Sequence, residues 1–301
     1  MQNGDTYEGN YIDGMRSGNG SYTWLDGDKY IGNFENDKSK GNGTYLCNPT
    51  KSALKYEGEY TDWKSHGYGI KYWRDGEKYE GKWANNLQHG FGKQQLSSGD
   101  IYEGYYINGK RSGNGTFTWL SGDKYIGEWN NSLRNGFGRQ QFTNGNTYEG
   151  NLKDDKYSGN GTYTWPSGSK YIGEWKNDFR NGFGKHQLAN KNIYEGNFID
   201  DKRSGNGTFT WLSGDKYTGN FENDKPIGNG TYLYNPTKPV LKYEGGFKDW
   251  KSYGYGIKYW RNGARYDGSW ENDLRHGFGT QFSANGSIIY RGEWKNGTQV
   301  K

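Results

Sequence analysis

The chain has 301 residues, of which 30% are hydrophobic, 18% are aromatic and 24% are charged, and its formal net charge is +5. The low hydrophobic content excludes a deep aliphatic core, whereas the many aromatic residues argue against a disordered chain. No stretch approaches the roughly 18 apolar residues of a membrane-spanning helix. Cys47 is the only cysteine, which excludes an internal disulfide framework and is typical of a reducing compartment.

A tyrosine followed two residues later by a glycine recurs along the whole chain. The spacing is 23 residues, except for two steps of 26 and one of 24. These tyrosines are Tyr7, Tyr30, Tyr56, Tyr79, Tyr102, Tyr125, Tyr148, Tyr171, Tyr194, Tyr217, Tyr243, Tyr266 and Tyr290. A fixed period predicts a repeat array in which each unit packs against its neighbours. We predict one array over residues 1–301, of about 12.5 repeats, with longer repeats at 30–55 and 217–242. Because the first repeat begins at Tyr7, we expect no signal peptide and a cytoplasmic protein.

Each unit has the pattern of a β-hairpin. Tyr125, Gly127 and Trp129 alternate with polar or aliphatic residues, which places them on one face of a strand. A short polar loop then leads to a second extended run, Gly136–Phe142. Hairpins paired side by side predict an all-β, elongated solenoid, built as one bent and twisted antiparallel sheet about 120 Å long. The glycine row leaves out Cβ atoms, so we expect the sheet to bend there.

The phrase Tyr-Glu-Gly-x-aromatic, followed by Asn or Asp and then by Gly-x-Gly, resembles the MORN (membrane occupation and recognition nexus) repeat from about Tyr7 to Gly297. The resemblance implies a solenoid of β-hairpins, of the kind found in cytoskeletal, ciliary, junctional and lipid-kinase proteins. The family has no catalytic residues of its own. The kinase or SET methyltransferase domains that some relatives carry have no counterpart in this chain.

From Gly90 to Gly207, the residue between the two glycines of Gly-x-Gly alternates between Phe and Asn, which gives a second period of 46 residues. The phenylalanines of this row that we select as partner contacts are Phe91, Phe137 and Phe183. One interpretation is pairwise packing of the repeats. The other is a partner whose own contacts recur at about 19 Å, the width of four strands.

A longer echo relates two distant segments. Lys29–Leu46 and Lys216–Leu233 are nearly identical and lie 187 residues apart, and each continues into one of the longer repeats. The added residues and prolines are expected to bulge out of the strand ladder. Duplication alone explains the echo; two equivalent docking points are the alternative.

Nothing in the sequence predicts an enzyme, a cofactor or a metal site. The four histidines are scattered, and no His/Cys/Asp spacing resembles that of metal ligands. The Gly-x-Gly motifs lack the following helix that a phosphate-binding loop needs. Nucleic-acid binding is not expected either, because the basic residues share their loops with aspartates.

A basic residue precedes Gly-x-Gly in most repeats and forms a row that is a candidate site for anionic phospholipids. The arginines of this row that we select are Arg111, Arg134, Arg180 and Arg203. Each basic residue near an anionic membrane contributes about 1 kcal/mol. The aspartates in the same loops favour the other interpretation, a solvated edge that is nearly neutral.

A second aromatic row follows the Gly-x-Gly motifs and supplies the leading candidates for partner binding, Trp24, Trp119, Trp165 and Trp211. Exposed contiguous aromatic surface marks interaction sites, and a helix or an extended peptide would fit along such a row. The alternative is that these tryptophans belong to the core.

The last unit, Tyr290–Gly297, ends after its first strand, and Gln299–Lys301 are too few to supply the second. We expect an open edge strand around Tyr290 and Trp294 that pairs with a second copy or a partner strand. The function predicted by these patterns is a non-enzymatic scaffold for protein–protein interactions in a cytoskeletal or ciliary assembly such as an axoneme. A peripheral membrane adaptor that binds anionic phospholipids is the alternative, and an enzyme subunit with its catalytic partner on another chain is a third possibility.

Overall fold

The computed structural model describes residues 4–300, which form β-strands joined by tight turns and contain no helix. Accordingly, no described segment is a helix long and apolar enough to cross a membrane. The chain divides into two compact units. Unit 1 comprises the chain up to Gly145 with Leu152–Asp155, and unit 2 comprises Asn146–Asn151 with the chain from Lys156 onward.

In unit 1, each strand pairs antiparallel with the next strand along the chain. The strands are β1 (Thr6–Ile12), β2 (Met15–Thr23), β3 (Lys29–Glu35), β4 (Lys38–Leu46), β5 (Ala53–Thr61), β6 (Lys64–Trp73), β7 (Lys78–Ala84), β8 (Leu87–Gln95), β9 (Ile101–Ile107), β10 (Lys110–Thr118), β11 (Lys124–Asn130) and β12 (Leu133–Gln141). The next strand, β13 (Thr147–Lys153), has residues in both units.

Unit 2 repeats the same antiparallel order. Its strands are β14 (Lys156–Thr164), β15 (Lys170–Lys176), β16 (Phe179–Gln187), β17 (Ile193–Ile199), β18 (Lys202–Thr210), β19 (Lys216–Glu222), β20 (Lys225–Leu233), β21 (Val240–Lys248), β22 (Lys251–Trp260), β23 (Arg265–Glu271), β24 (Leu274–Phe282), β25 (Ile288–Lys295) and β26 (Thr298–Gln299). The all-β fold of tandem antiparallel hairpins is confirmed. The single array over residues 1–301 and its length stay predictions.

The hairpins close through two-residue turns that need positive φ at both positions, the geometry of a type I′ turn. Asn131 and Ser132, with φ of 49° and 69°, form the turn between β11 and β12. This turn also links neighbouring repeats: Ser132 N–H donates to the Arg111 carbonyl oxygen (2.9 Å), and the Arg111 N–H donates to Ser132 Oγ (3.2 Å). The same reciprocal pair joins Asp155 to Arg134, 23 residues later. These bonds between turns hold the repeat length constant.

The core is a layer of tyrosine rings, each lying flat over a pair of facing glycines. Gly104 pairs with Gly115, and a Cβ on Gly115 would lie only 2.3 Å from Tyr102 Oη. Tyr102 is fully buried, and its hydroxyl donates to the Tyr105 carbonyl oxygen (3.1 Å). Its ring makes edge contacts at 5.2 Å with Tyr106 in its own strand and with Trp129 in the next repeat. The glycines therefore provide space for the tyrosine ring, a role that the sequence analysis did not identify.

Candidate interaction surfaces

Strand alternation gives every hairpin two faces. We call the side that carries the buried tyrosines and the residue four positions later the aromatic face; Tyr125 and Trp129 lie there. The opposite side, which carries Ile126 and the residue between the two glycines, such as Phe137, is the outer face. All candidate residues from the sequence can be assigned to one face or the other.

The tryptophan row lies on the aromatic face and is half-buried. Trp119 contacts Phe117 at 4.7 Å between ring centroids, and Trp211 contacts Phe209 at the same distance. Trp165 packs against Tyr163 at 4.6 Å, and Trp24 against Tyr22 at 4.8 Å. These rings extend the core at one side, while part of their surface stays accessible. The row therefore combines features of a core and of a partner-binding surface.

The phenylalanine row lies on the outer face. Phe91, Phe137 and Phe183 expose 48%, 52% and 53% of their surface, although all three stand inside strands. Phe91 contacts the ring of Tyr105, with 5.5 Å between the ring centroids. The tryptophans and phenylalanines that the sequence proposed together as partner contacts thus occupy opposite faces and do not form one site.

Shallow grooves lie beside the outer phenylalanines in both units. The groove of unit 1 has a volume of about 540 Å³ and that of unit 2 about 470 Å³. In unit 1 the wall residues include Phe91, Glu103, Tyr105, Asn114, Thr116, Lys124 and Ile126. In unit 2 they include Phe183, Ile193, Glu195, Asn206, Thr208, Lys216 and Thr218. Glycine backbone is part of both linings, so each groove offers aromatic and polar groups next to exposed peptide units.

The four arginines proposed for lipid binding lie over the aromatic face. Arg134 Nε donates to Asp155 Oδ1 (3.0 Å), Nη2 donates to the Asp155 carbonyl oxygen (2.8 Å), and only 17% of the side chain is exposed. Arg180 and Arg203 make the equivalent ion pairs with the aspartate of the next turn. The Arg111 guanidinium lies 4.8 Å from the Phe117 ring centroid. This geometry directs the arginines toward ring faces and turns of their own chain.

His186 is a half-buried titratable group that the sequence gave no reason to select. Arg180 Nη1 donates to His186 Nδ1 (3.1 Å), and Ser169 Oγ, which donates to the Gln187 carbonyl, accepts from Nε2 (3.1 Å). Burial lowers the pKa of His186 to about 4, and the positive charges of Arg180 and Arg203 act in the same direction. The histidine is therefore neutral at pH 7. The residue 46 positions earlier, Gln140, accepts from Arg134 Nη1 in the same way (2.8 Å).

Each of the two longer repeats contains an ion pair between an aspartate and a lysine. Lys51 Nζ bonds Asp28, and Asn48 N–H donates to Asp28 Oδ1 (2.7 Å). Burial by itself raises the pKa of Asp28, but the hydrogen bonds from Lys51, Tyr45 and Asn48 outweigh burial and lower it. In the second copy, Lys238 Nζ lies 2.6 Å from Asp215 Oδ2.

The turns of the repeats that follow the two longer ones hold a feature that the sequence analysis missed. Trp63 and Trp250 occupy left-handed positions, with φ of 63° and 68°. A left-handed conformation costs roughly 1–2 kcal/mol for a residue with a Cβ. The rings pack on the aromatic face, Trp63 at 5.5 Å from Trp24 and Trp250 at 5.4 Å from Trp211. Ring burial offsets the backbone cost.

The last unit departs from the sequence prediction. Thr298–Gln299 forms β26 and pairs with β25, so a second strand does begin, and the prediction that it would be missing is wrong. A glycine at 297 permits the tight turn that brings these residues back. Trp294 is buried against Tyr266 at 5.4 Å, and Tyr290 Oη donates to the Val300 carbonyl oxygen (2.9 Å). Both predicted edge residues therefore contact their own chain.

Within residues 4–300, no group of three or more His, Cys, Asp or Glu residues is placed to hold a metal ion. A family model described as "MORN repeat" matches most of the chain. The matched residues are 7–29, 30–49, 56–78, 79–101, 102–124, 125–147, 148–170, 171–193, 194–216, 217–236, 266–288 and 290–299. The unit that begins at Tyr243 is not matched, yet β21 and β22 form the same hairpin there.

No curated protein matches the chain. Among solved structures, the TCP10 domain of Danio rerio CPAP, in complex with a peptide of Danio rerio STIL, is 12% identical; the alignment covers 76% of this chain and 95% of that chain, with a TM-score of 0.37. The SAS-4 (dCPAP) TCP domain of Drosophila melanogaster, in complex with a proline-rich motif of Ana2, is 11% identical, with coverages of 52% and 85% and a TM-score of 0.34. A streptogramin B lyase is 10% identical, with coverages of 97% and 88% and a TM-score of 0.15. Similarities at this level carry no functional information.

Proposed function

Because the chain belongs to the MORN repeat family, we propose that it is a non-enzymatic scaffold that binds a segment of another protein along its outer face. The observation that carries this proposal is the exposure of Phe91, Phe137 and Phe183 inside strands, where each ring lies half in water. Contiguous exposed aromatic surface is typical of interaction sites. Aromatic residues also supply a large share of the energetically dominant contacts in protein interfaces.

The grooves beside these rings suit an extended or helical segment of a partner. Phe91 and Tyr105 provide an apolar contact at one side of the groove in unit 1. Thr116 and Asn114 lie on its other walls and offer hydroxyl and amide groups to partner backbone. Peptide-recognition surfaces commonly combine pockets for side chains with hydrogen bonds to the main chain of the partner.

We propose the tryptophan row on the aromatic face as a second, separate contact region. Trp24, Trp119, Trp165 and Trp211 are each partly accessible. Their packing against core rings means that truncation also removes intramolecular contacts, so they are less suitable than the phenylalanines for a first test.

The assembly that this scaffold serves is proposed to be cytoskeletal or ciliary, in the cytoplasm, on the strength of family membership alone. Co-purification of the protein with axonemal or other filamentous material is the expected outcome. Partner identification by affinity capture from native lysate, with mass spectrometry, tests this part of the proposal. Recovery of membrane fractions without filament proteins would contradict it.

The outer face is tested with a triple variant, F91S/F137S/F183S. Its matched control is N19S/N42S/N160S, which changes the equivalent exposed outer position in three repeats whose residues at that position line neither groove. Losing a central aromatic contact typically costs 2 kcal/mol or more, about thirtyfold in affinity. We expect the phenylalanine variant to lose its captured partners while keeping the thermal midpoint of the control. Equal capture by both variants would exclude the outer row as the binding surface.

A further inference from the structure

A cavity of about 260 Å³ lies on the aromatic face of unit 1, beside Cys47. Four of its walls are aromatic: Tyr45, Tyr56, Tyr60 and Trp63. The remaining lining residues are Cys47, Lys55, Ser65, Lys71 and Asn86. Four of the nine lining residues are therefore aromatic, a larger share than in the open grooves of the outer face.

The cavity lies where one member of the tryptophan row is missing. Cys47 is the seventeenth residue after Tyr30, the same offset that separates Trp24 from Tyr7. At this offset the other repeats carry Trp24, Trp73, Leu96, Trp119, Phe142, Trp165, Leu188, Trp211, Tyr234, Trp260 and Ser283. Cys47 is therefore a small residue in a row of mostly large apolar ones, and the space that a ring would fill stays open.

Unit 2 shows what fills the same space in the duplicated segment. The residue 187 positions after Cys47 is Tyr234, whose ring lies 4.6 Å from that of Tyr232. Lys258 Nζ lies 5.6 Å from the centroid of the Tyr234 ring. Tyr232 and Lys258 are the counterparts of Tyr45 and Lys71, which line the cavity of unit 1. A tyrosine and a lysine at equivalent positions thus contact a phenol ring in unit 2 and line an open cavity in unit 1.

We propose that the Cys47 cavity is an anchor pocket for an aromatic side chain, tyrosine or phenylalanine, presented by a protein partner. The intramolecular ring of Tyr234 is the model for this occupant. A volume of about 260 Å³ suffices, since apolar protein cavities of about 150 Å³ already bind benzene. Tyr56 and Tyr60 supply ring walls for aromatic contacts, and Lys71 is the counterpart of Lys258, whose ammonium group lies 5.6 Å from the Tyr234 ring centroid. The proposed function is needed only for the source of the ring, a partner protein.

The thiol at the pocket wall reports on occupancy. Burial raises the pKa of Cys47, and the charge of Asp28 adds to this effect. The thiolate is therefore scarce at pH 7, and alkylation has to be followed at higher pH. Since Cys47 is the only cysteine, the alkylated peptide that contains residue 47 reports thiol alkylation at the pocket.

The probe is N-acetyl-tyrosinamide, an uncharged phenol, added to the full chain during alkylation with iodoacetamide at pH 9. We expect the probe to slow alkylation, by about tenfold at a concentration ten times its Kd, because bound probe covers the thiol. N-acetyl-alaninamide is the control for the peptide groups and should have no effect. Equal rates with the tyrosine and alanine probes would overturn the proposal.

The two copies supply reciprocal variants. Cys47→Tyr should fill the pocket, abolish binding of the probe measured by NMR shift changes, and raise the thermal midpoint. Cys47→Ala combined with Tyr234→Cys should move the only thiol to unit 2 and open a second pocket beside it, where the probe again slows alkylation. Probe binding that persists in Cys47→Tyr, or a thiol at 234 that the probe never protects, would show that no ring pocket exists. If Cys47→Tyr fails to fold, the swapped variant decides alone.

Failure of this inference differs from failure of the scaffold function. The F91S/F137S/F183S variant changes only the outer face and should retain full probe binding. A chain that binds the probe but captures no partner retains the pocket and lacks the proposed function. A chain that captures partners but not the probe uses surfaces other than the Cys47 cavity.

Discussion

Tyr102 and Tyr105 stand three residues apart in β9, yet the first is fully buried on the aromatic face and the second is 52% exposed on the outer face. The position that Tyr102 occupies is tyrosine in every repeat, because each repeat needs a ring over its glycine pair. The position that Tyr105 occupies is Asn, Glu, Lys, Gly or Ser in the other repeats. Recurrence along the array therefore indicates packing, whereas aromatic residues that interrupt a polar row indicate a surface with another purpose.

The largest expected effect separates the two tyrosines. Tyr102→Ala removes a ring that contacts Tyr106 and Trp129, and loss of a large buried aromatic side chain typically costs about 3–5 kcal/mol. Tyr105→Ala should change the free energy of unfolding by no more than about 0.5 kcal/mol. Urea denaturation followed by tryptophan fluorescence measures both. Similar losses in the two variants would mean that the outer face is as tightly packed as the aromatic face.

The next-largest effect is a pH dependence of the folding stability that arises from His186. Its pKa is about 4 in the folded chain and about 6.5 when unfolded, so the unfolded chain binds more protons between these values. The contribution to stability is fully present above pH 6.5, falls as the pH drops through this window, and amounts to about 2–3 kcal/mol lost by pH 4.

The control for this pH dependence is His186→Gln, which copies the bond between Gln140 and Arg134 in the equivalent repeat. Unfolding midpoints measured from pH 7 to pH 4 should fall less steeply in the variant than in the original chain. Parallel curves would show that His186 is already accessible to protons in the folded state.

A smaller effect tests the pair of facing glycines that lies under each tyrosine ring. Ala at Gly115 places a Cβ 2.3 Å from Tyr102 Oη, and overpacking of this kind typically costs about 1–3 kcal/mol. Asn114→Ala alters the adjacent outer position and should be close to neutral. Thermal unfolding of the two variants, followed by the β signal in circular dichroism, makes the comparison. A neutral Gly115→Ala would show that the ring can shift without loss of packing.

The smallest effect compares two arginines of β12. Arg134 donates hydrogen bonds to Asp155 and Gln140, so we expect Arg134→Ala to cost about 1–2 kcal/mol. Arg139 is exposed on the outer face, and Arg139→Ala should change stability by less than about 0.5 kcal/mol. Chemical denaturation at low and high salt measures both losses. A larger loss at Arg139 would reverse the assignment of the faces.

The same arginines decide the phospholipid hypothesis. If anionic lipids are the target, removing Arg111, Arg134, Arg180 and Arg203 together should weaken sedimentation with anionic liposomes while the β spectrum persists. The structure places these side chains against rings and turn aspartates, so we expect the quadruple variant to lose stability instead. Unchanged liposome binding by a folded quadruple variant would dismiss this row as a lipid site.

Local rules of the sequence were sufficient for the hairpins, their turns and their spacing. Alternation around Tyr125 and Trp129 set the buried face, since successive side chains of a strand point to opposite sides. Short polar runs between the extended segments predicted the loops that close the hairpins. Strand alternation also places Phe137 on the side opposite to its neighbouring glycines.

Tertiary structure determined which side chains of different repeats contact each other. The Arg134 pair with Asp155 spans 21 residues, and the swing of Trp63 onto the aromatic face requires a left-handed tryptophan that no local pattern predicts. The cavity at Cys47 exists only because rings from several strands surround a position that is small in one copy and filled by Tyr234 in the other. A period of 23 residues fixes the identity of neighbours along the strand ladder, but the packing of long side chains between those neighbours depends on volume and charge in three dimensions.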